Sequence, residues 1–434
     1  MSKMASMLRC SLNKQWARPF FTIWTGQLFS LVGSALVQFA LVWWLTQKTN
    51  SATILATATM VAMLPEIVLG PFAGALVDRW NRKRVMVIAD GAIALTTLGL
   101  VLLFASGQIA VWHIYVAMFL RSLGGAFHWP AMQASTSLMV PAQHLARIAG
   151  INQAVRGAIA IVAPPLGALL LDVLPMAGIL AIDVVTALIA IAPLLFVAIP
   201  QPSRSDAEQV VTPRLVLRDV VEGVRYVRAW PGLFGLLLLA VLLNFFFAPA
   251  SALMPLLVKQ YFGLGALEYG YAEAAIGIGV VVGGGLLGVW GGFRRRIVTS
   301  LMGLSLMGVG VLVVAAAPAH LFWMALVGWA ILGIMNPITN GPIQAIMQAR
   351  VAPEMQGRVF MLVGSICGAM MPLSMLIAGP LSEVLGIRAW YWAAGVATFA
   401  MAGIAFLSPT IMHLEDAPAS DGAYAMDHAP VVAK

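Results

Sequence analysis

Twelve apolar stretches, at 20–46, 52–77, 85–106, 110–139, 146–171, 175–199, 231–257, 267–291, 297–317, 321–348, 357–380 and 387–409, are each long enough to cross a membrane. A helix needs about 20 apolar residues to span a hydrocarbon core about 30 Å thick. A chain made almost wholly of such runs has no aqueous fold that could bury them. Hydrophobic residues make up 61% and charged residues 10% of the 434 positions, against about 45–50% and about 25% in soluble domains. In lipid every backbone N–H and C=O must be satisfied within its own segment or a closed barrel, so runs of this length are predicted as α-helices. The expected fold class is an all-α membrane protein with twelve transmembrane helices.

The positions of the cations set the orientation. Of 25 Lys and Arg, 20 fall in the segments that share a side with both termini, and only Lys48, Lys259 and Arg388 fall on the other. Arg121 and Arg156 lie inside helices. Short loops rich in Lys and Arg stay in the cytoplasm, which predicts that both termini are cytoplasmic. The formal charge of +8 does not point to nucleic acid, because the cations occupy loops rather than a helix face interleaved with aromatics. The first apolar run is too long for the core of a signal peptide and is followed by no small-residue cleavage site, so an uncleaved signal-anchor is expected.

One long polar interruption, Gln201–Trp230, separates two groups of six helices. The predicted organisation is an N-terminal bundle over 1–200, a cytoplasmic linker over 201–230, a C-terminal bundle over 231–410 and a disordered cytoplasmic tail over 411–434. Within the linker, Leu215, Leu217, Val220, Val221, Val224 and Tyr226 suggest an amphipathic helix lying at the inner face of the membrane. An offset of 211 residues carries Gly74 onto Gly285, Lys83-Arg84 onto Arg294-Arg295, Arg147 onto Arg358, and Asp172-Val173-Leu174 onto Glu383-Val384-Leu385. A constant offset through three separate loops implies two pseudo-symmetric halves. The second copy is degenerate, since Asp78 falls on Val289.

The loop after the second run reads Gly74-Ala-Leu-Val-Asp78-Arg79-Trp-Asn81-Arg82-Lys83-Arg84. It closely resembles the loop between helices 2 and 3 of major facilitator superfamily transporters, with Asn81 where that family usually has glycine. Asn81 is expected to supply the left-handed turn, which Asn tolerates better than other non-glycine residues. The resemblance covers nearly the whole chain. Arg121-Ser-Leu-Gly-Gly-Ala-Phe-His128-Trp-Pro-Ala131, Trp24-Thr-Gly-Gln27 and Leu64-Pro-Glu66-Ile-Val-Leu-Gly-Pro71 are similar to the drug:proton antiporter branch that holds bacterial macrolide-efflux and enterobactin-exporter proteins. Ala163-Pro164-Pro165-Leu-Gly167-Ala168 resembles the antiporter motif Gly-Pro-x-x-Gly-Gly.

The resemblance implies a major facilitator fold of two six-helix bundles in a bacterial cytoplasmic (inner) membrane, acting as a monomer. It assigns a conformational latch to Gly74, Asp78, Arg79, Arg82 and Asp90, with Asp78 facing the positive end of a helix dipole and Asp90 accepting an Arg from the same cluster. The antiporter-motif positions are Pro164, Pro165 and Gly167. Ionisable groups at membrane depth are expensive and mark ion pathways, so Glu66, Arg121 and Asp183 are the proton-coupling candidates. Glu66 lies about 18 Å from Asp78 at about 1.5 Å per residue and is expected to pair with Arg121. Helices 1, 4, 7 and 10 line the cavity in this superfamily. The substrate-cavity candidates are therefore Gln27, Ser30, Gln38, His128, Asn244, Phe245, Asn336, Asn340 and Gln344.

No Gly-x-x-x-x-Gly-Lys-Ser/Thr occurs, and neither the six histidines nor Cys10 and Cys367 have metal-ligand spacing. No enzymatic activity, cofactor, metal or nucleic-acid partner is expected. The reading is a secondary active exporter of an amphipathic small molecule, drug or macrolide-like, in exchange for protons, with the proton gradient as energy source. An exporter of a siderophore or other endogenous metabolite, a lysophospholipid transporter and a non-transporting membrane sensor are the alternatives.

Overall fold

A computed structural model describes residues 16–201 and 213–415; at Pro71, Ala75, Asp78, Glu354 and 213–220 it describes the backbone only. Expectations for the first cations, for Pro202 to Ser205 and for most of the tail fall outside these residues. Among the described residues there is no strand, and each of the twelve expected helices is present. They are α1 Ala17–Thr49, α2 Ala52–Arg79, α3 Arg82–Ala105, α4 Val111–Met139, α5 Ala142–Val173, α6 Met176–Phe196, α7 Pro231–Ala252, α8 Ala266–Trp290, α9 Arg296–Ala316, α10 Phe322–Arg350, α11 Pro353–Leu385 and α12 Ile387–Leu407. Eleven are long and apolar enough to cross a membrane on those grounds alone. The remaining one, α4, carries His113, Arg121 and His128.

Local chemistry sets the boundaries. Helix α1 ends where Asn50 takes the left-handed conformation (φ 52°) and returns its N–H to the Thr46 carbonyl at 3.2 Å, the usual closing turn for a non-glycine residue. Helix α7 stops at Ala252, short of the expected 257. Pro255 has no N–H to continue the ladder, and the chain goes on as one turn, Met254–Leu256, and a π-helical turn, Leu257–Tyr261. Asn81 does not make the expected left-handed turn. Its backbone is extended (φ −66°, ψ 107°) and its side chain caps α3 by accepting from the Arg84 N–H at 3.0 Å. Asn ranks with Asp and Ser as a helix N-cap, so the polar residue serves the next helix rather than the turn.

Helix α3 carries an apolar stripe outside and a polar stripe inside. On α3, Ile88, Leu95 and Leu102 are 62–70% exposed at seven-residue spacing, whereas Asp90 and Thr97 are 4% and 0% exposed. Seven residues are about two turns, so each set is one stripe. Such a helix is stable with lipid on its apolar stripe and protein on its polar one.

The chain forms two compact units. Unit 1 comprises Met1–Asn50, Thr57–Val210 and Gly265–Gly270; unit 2 comprises Ser51–Ala56, Val211–Leu264 and Tyr271–Lys434. In unit 1, α6 packs against α1 and α3, and α3 against α4. A Cβ on Gly33 of α1 would meet the Asp183 Cα at 3.1 Å and the Thr186 hydroxyl. Only glycine allows the α1 backbone to pass this close to α6. In unit 2, α9 packs against α10 and α12, and α7 against α11.

The linker helix, Pro213–Ala229, forms as expected. Tyr226 and Val227 are buried with Ile297, Leu301, Met355, Val359 and Leu362 of unit 2, and Glu222 pairs with Arg358 at 2.6 Å. The side chains of Leu215, Leu217 and Val220 are not among those described, and Val221 is exposed.

Candidate functional site

Three helices of unit 1 repeat a polar residue at seven-residue spacing: Gln27 and Ser34 on α1, Asp90 and Thr97 on α3, Arg121 and His128 on α4. Two turns of helix separate members of each pair by about 10 Å. Packing α1, α3, α4 and α6 together gathers them into two polar layers inside an apolar bundle.

The first layer is built on Asp183 of α6, which is fully buried. Its Oδ1 accepts from the Ser34 hydroxyl at 3.0 Å and its Oδ2 from the Thr97 hydroxyl at 3.0 Å and from the Arg121 guanidinium at 2.5 Å. Arg121 also donates to the Thr97 oxygen. A carboxylate out of water is tolerated when it is paired and its remaining lone pairs are used, and three helices supply those donors. The Glu66–Arg121 pair expected from the sequence does not form. Arg121 goes to Asp183, and Glu66 stands on an exposed face of α2 with no hydrogen bond or ion pair among the described residues. Sequence depth along separate helices could not reveal that α6, rather than α2, is the neighbour of α3 and α4.

The second layer centres on Asp90. Its Oδ2 accepts from the Gln27 amide at 2.9 Å, and its Oδ1 lies 3.3 Å from His128 Nε2, which lacks the alignment of a hydrogen bond. Asp90 therefore faces Gln27 and His128 and not the arginine cluster, correcting its place in the latch. A cavity of about 60 Å³ adjoins this layer, with Trp24, Gln27, His128, Trp129, Asn152 and Arg156 in its wall.

Of the other latch residues, Gly74 has nothing within 4 Å of where a Cβ would be, and Arg79 is exposed. Arg82 is buried and donates to the Ala134 carbonyl at 3.1 Å. The side chain of Asp78 is not among those described. Pro164 and Pro165 leave α5 continuous from Ala142 to Val173. A Cβ on Gly167 would meet the Phe39 ring at 2.9 Å, and that ring stacks on Tyr269 at 4.9 Å. The motif thus provides a flat seat for aromatic rings.

Unit 2 holds the larger cavity, about 460 Å³, with Asn244, Ser300, Asn336, Thr339, Asn340 and Cys367 in its wall among leucines and methionines. Asn244 and Asn340 donate their amide N–H groups to carbonyls one turn back, at 2.8 and 3.0 Å. The structure thus gathers Asn244, Asn336 and Asn340 at this cavity and Gln27 and His128 at the smaller one. Phe245 lines a separate apolar pocket beside Trp390. Ser30, Gln38 and Gln344 line none of these three cavities, and Gln38 and Gln344 are exposed. Sequence reasoning missed Ser34 and Thr97 as members of the first polar layer, and Asn152 and Trp24 in the cavity wall beside the second. The seven-residue recurrence of polar side chains in apolar helices was the signal that could have found Thr97.

Residues 23–374 match the pattern of the Major Facilitator Superfamily. The chain is similar to macrolide efflux protein A of Streptococcus pyogenes, 36% identical over 380 residues that cover 88% of this chain and 93% of that one. It is also similar to the multidrug efflux pump Tap of Mycobacterium tuberculosis, 27% identical over 421 residues covering 93% and 96%. Among solved structures it is similar to the nucleoside transporter NupG, with a TM-score of 0.65 at 11% identity over 89% of this chain and 98% of that one, a likeness of fold alone. With twelve long helices in two groups of six among the described residues, and a pattern matched over most of its length, this protein belongs to the Major Facilitator Superfamily.

Proposed function

We propose that this chain exports an amphipathic, macrolide-like small molecule in exchange for protons by alternating access. Membership of the superfamily and the efflux relatives support a membrane transporter of small molecules. The substrate class rests on the macrolide efflux relative, which aligns over nearly the whole of both chains. The cavity of unit 2 is consistent with it. Its volume of about 460 Å³ lies within the roughly 300–1,000 Å³ of drug-sized sites, and its wall is apolar with a few amides and hydroxyls.

The observation that carries proton coupling is the buried Asp183–Arg121 pair. A proton delivered to Asp183 removes the charge that holds Arg121 and leaves that guanidinium in search of another acceptor. Substrate arrival and proton arrival then compete for one rearrangement of α1, α3, α4 and α6. In this account Asp183 and Arg121 couple, while Glu66 serves as the comparison.

The remaining parts of the proposal follow the sequence. The halves 1–200 and 231–410 alternate about the linker 201–230, with a cytoplasmic tail beyond 411. The protein works as a monomer in the cytoplasmic membrane with both termini inside. Asp78, with Gly74, Arg79 and Arg82, holds one of the two states by facing a helix N-terminus.

Cys367 allows the cavity to be tested directly. In a Cys10→Ser background Cys367 is the only thiol. A macrolide occupying the cavity is expected to slow alkylation of Cys367 by N-ethylmaleimide about threefold or more, as occlusion by a ligand burying most of its surface requires. Unchanged labelling at saturating macrolide would remove this cavity from the proposal.

A further inference from the structure

We infer that the small cavity of unit 1 is a subsite for the anionic head of an amphipathic solute, a carboxylate held by Arg156 and Asn152. Arg156 lies near the middle of the 32-residue helix α5 with an exposed side chain, where a cation at membrane depth must meet water or an anion. It makes no ion pair among the described residues, and no Asp or Glu lines the cavity. Its guanidinium lies over the Trp129 ring, 4.2 Å from the centroid, which holds the planar fork in place while its N–H groups stay available.

A second donor stands beside it. Asn152 is four residues back on α5, so the two side chains share a face. Trp24 Nε1, which can only donate, reaches Asn152 Oδ1 at 2.6 Å. That contact fixes the amide and leaves Asn152 Nδ2 as a donor. The cavity therefore offers N–H groups from two residues between two indole walls, Trp24 and Trp129. Paired N–H donors on a guanidinium match the two oxygens of a carboxylate.

Size decides which part of a ligand enters. About 60 Å³ is far below the roughly 300 Å³ of the smallest drug-sized sites. It admits a head group while the apolar body lies outside, against Leu28 and Leu31 at the rim. Asp90 is turned away, engaged by Gln27 and lying against His128, and does not line the cavity. The inference rests on the export reading for the fate of the ligand, whereas its test is a binding equilibrium with no gradient and no macrolide. Failure of either reading therefore leaves the other standing.

The probe is radiolabelled naphthaleneacetic acid, with its uncharged amide, naphthaleneacetamide, as the matched control. Both are measured by equilibrium dialysis against the full chain in phosphatidylcholine nanodiscs. The acid is expected to bind saturably and in preference to the amide. Arg156→Gln should weaken the acid by about 10- to 100-fold, as loss of charge-assisted hydrogen bonds implies, without weakening the amide. Arg156→Lys should recover part of the loss, being a point charge without the fork. Because the readout is the ratio of acid to amide, a general loss of folding cannot imitate it. Adding phosphatidylglycerol to the discs distinguishes a solute from a lipid phosphate, and acid affinity should not change. Equal binding of acid and amide, an Arg156→Gln variant that retains the preference, or displacement of the acid by phosphatidylglycerol would each overturn the inference.

Discussion

Asp183→Asn is expected to abolish macrolide uptake driven by a pH gradient in inverted vesicles while leaving macrolide counterflow measurable. Asn fills the same space, and its single amide oxygen can accept from one of the two hydroxyls that now donate to separate oxygens of Asp183, but it carries no exchangeable charge. The substituted protein can bind and reorient without a proton, which counterflow reads, and cannot be driven by one. The expected loss is all of the coupled component, within detection. Glu66→Gln is expected to retain coupled uptake within about twofold, since Glu66 is exposed and does not meet Arg121, and surface substitutions away from such networks typically have small effects. The opposite pattern, with Glu66→Gln silent and Asp183→Asn coupled, would return the coupling role to α2.

The second large effect is on stability. Removing one member of a buried ion pair leaves an uncompensated charge and costs about 3–5 kcal/mol, whereas replacing both by apolar residues of similar volume is often neutral. Arg121 and Asp183 are 10% and 0% exposed at their side chains, so the pair falls in this regime. Arg121→Met alone and Asp183→Leu alone should each lower the unfolding temperature markedly in detergent. Arg121→Met with Asp183→Leu should lower it much less than the sum, giving a coupling energy of about 1–3 kcal/mol. Additive losses would mean that the two side chains do not act as a pair, and the coupling proposal would lose its physical basis.

Helix number and span followed from apolar runs because the bilayer fixes length and leaves the backbone no alternative to internal hydrogen bonds. The repeat was visible as an offset in the sequence. Partners across helices were not visible. Arg121 has two carboxylates at similar depth, on α2 and α6, and only the packing of α6 against α3, with Gly33 admitting α1 on its other side, brings Asp183 into reach. Asp90 was placed with the arginines because it lies two turns from them in sequence, yet its stripe on α3 faces α1 and α4. Asn81 was read as a turn residue because the family's glycine set the comparison, while its side chain supplied the cap. In each case periodicity told which face a residue occupies and not which helix that face meets.

The linker helix shows the same limit from the other direction. Of its described apolar residues Tyr226 is buried and Val221 exposed, and amphipathicity alone does not distinguish lipid from protein as the surface that covers a helix. Tyr226 and Val227 settled among residues of α9 and α11.

Antiport requires substrate and proton to move in opposite directions through one protein. Purified protein reconstituted in liposomes with a pH-sensitive dye inside, and a macrolide gradient imposed with no pH gradient, makes this measurable. Downhill macrolide flow is expected to drive protons the opposite way, so that lumenal pH changes with the sign of antiport, and Asp183→Asn is expected to give macrolide flow without the pH change. Macrolide flow through the unsubstituted protein with no accompanying proton movement would contradict antiport.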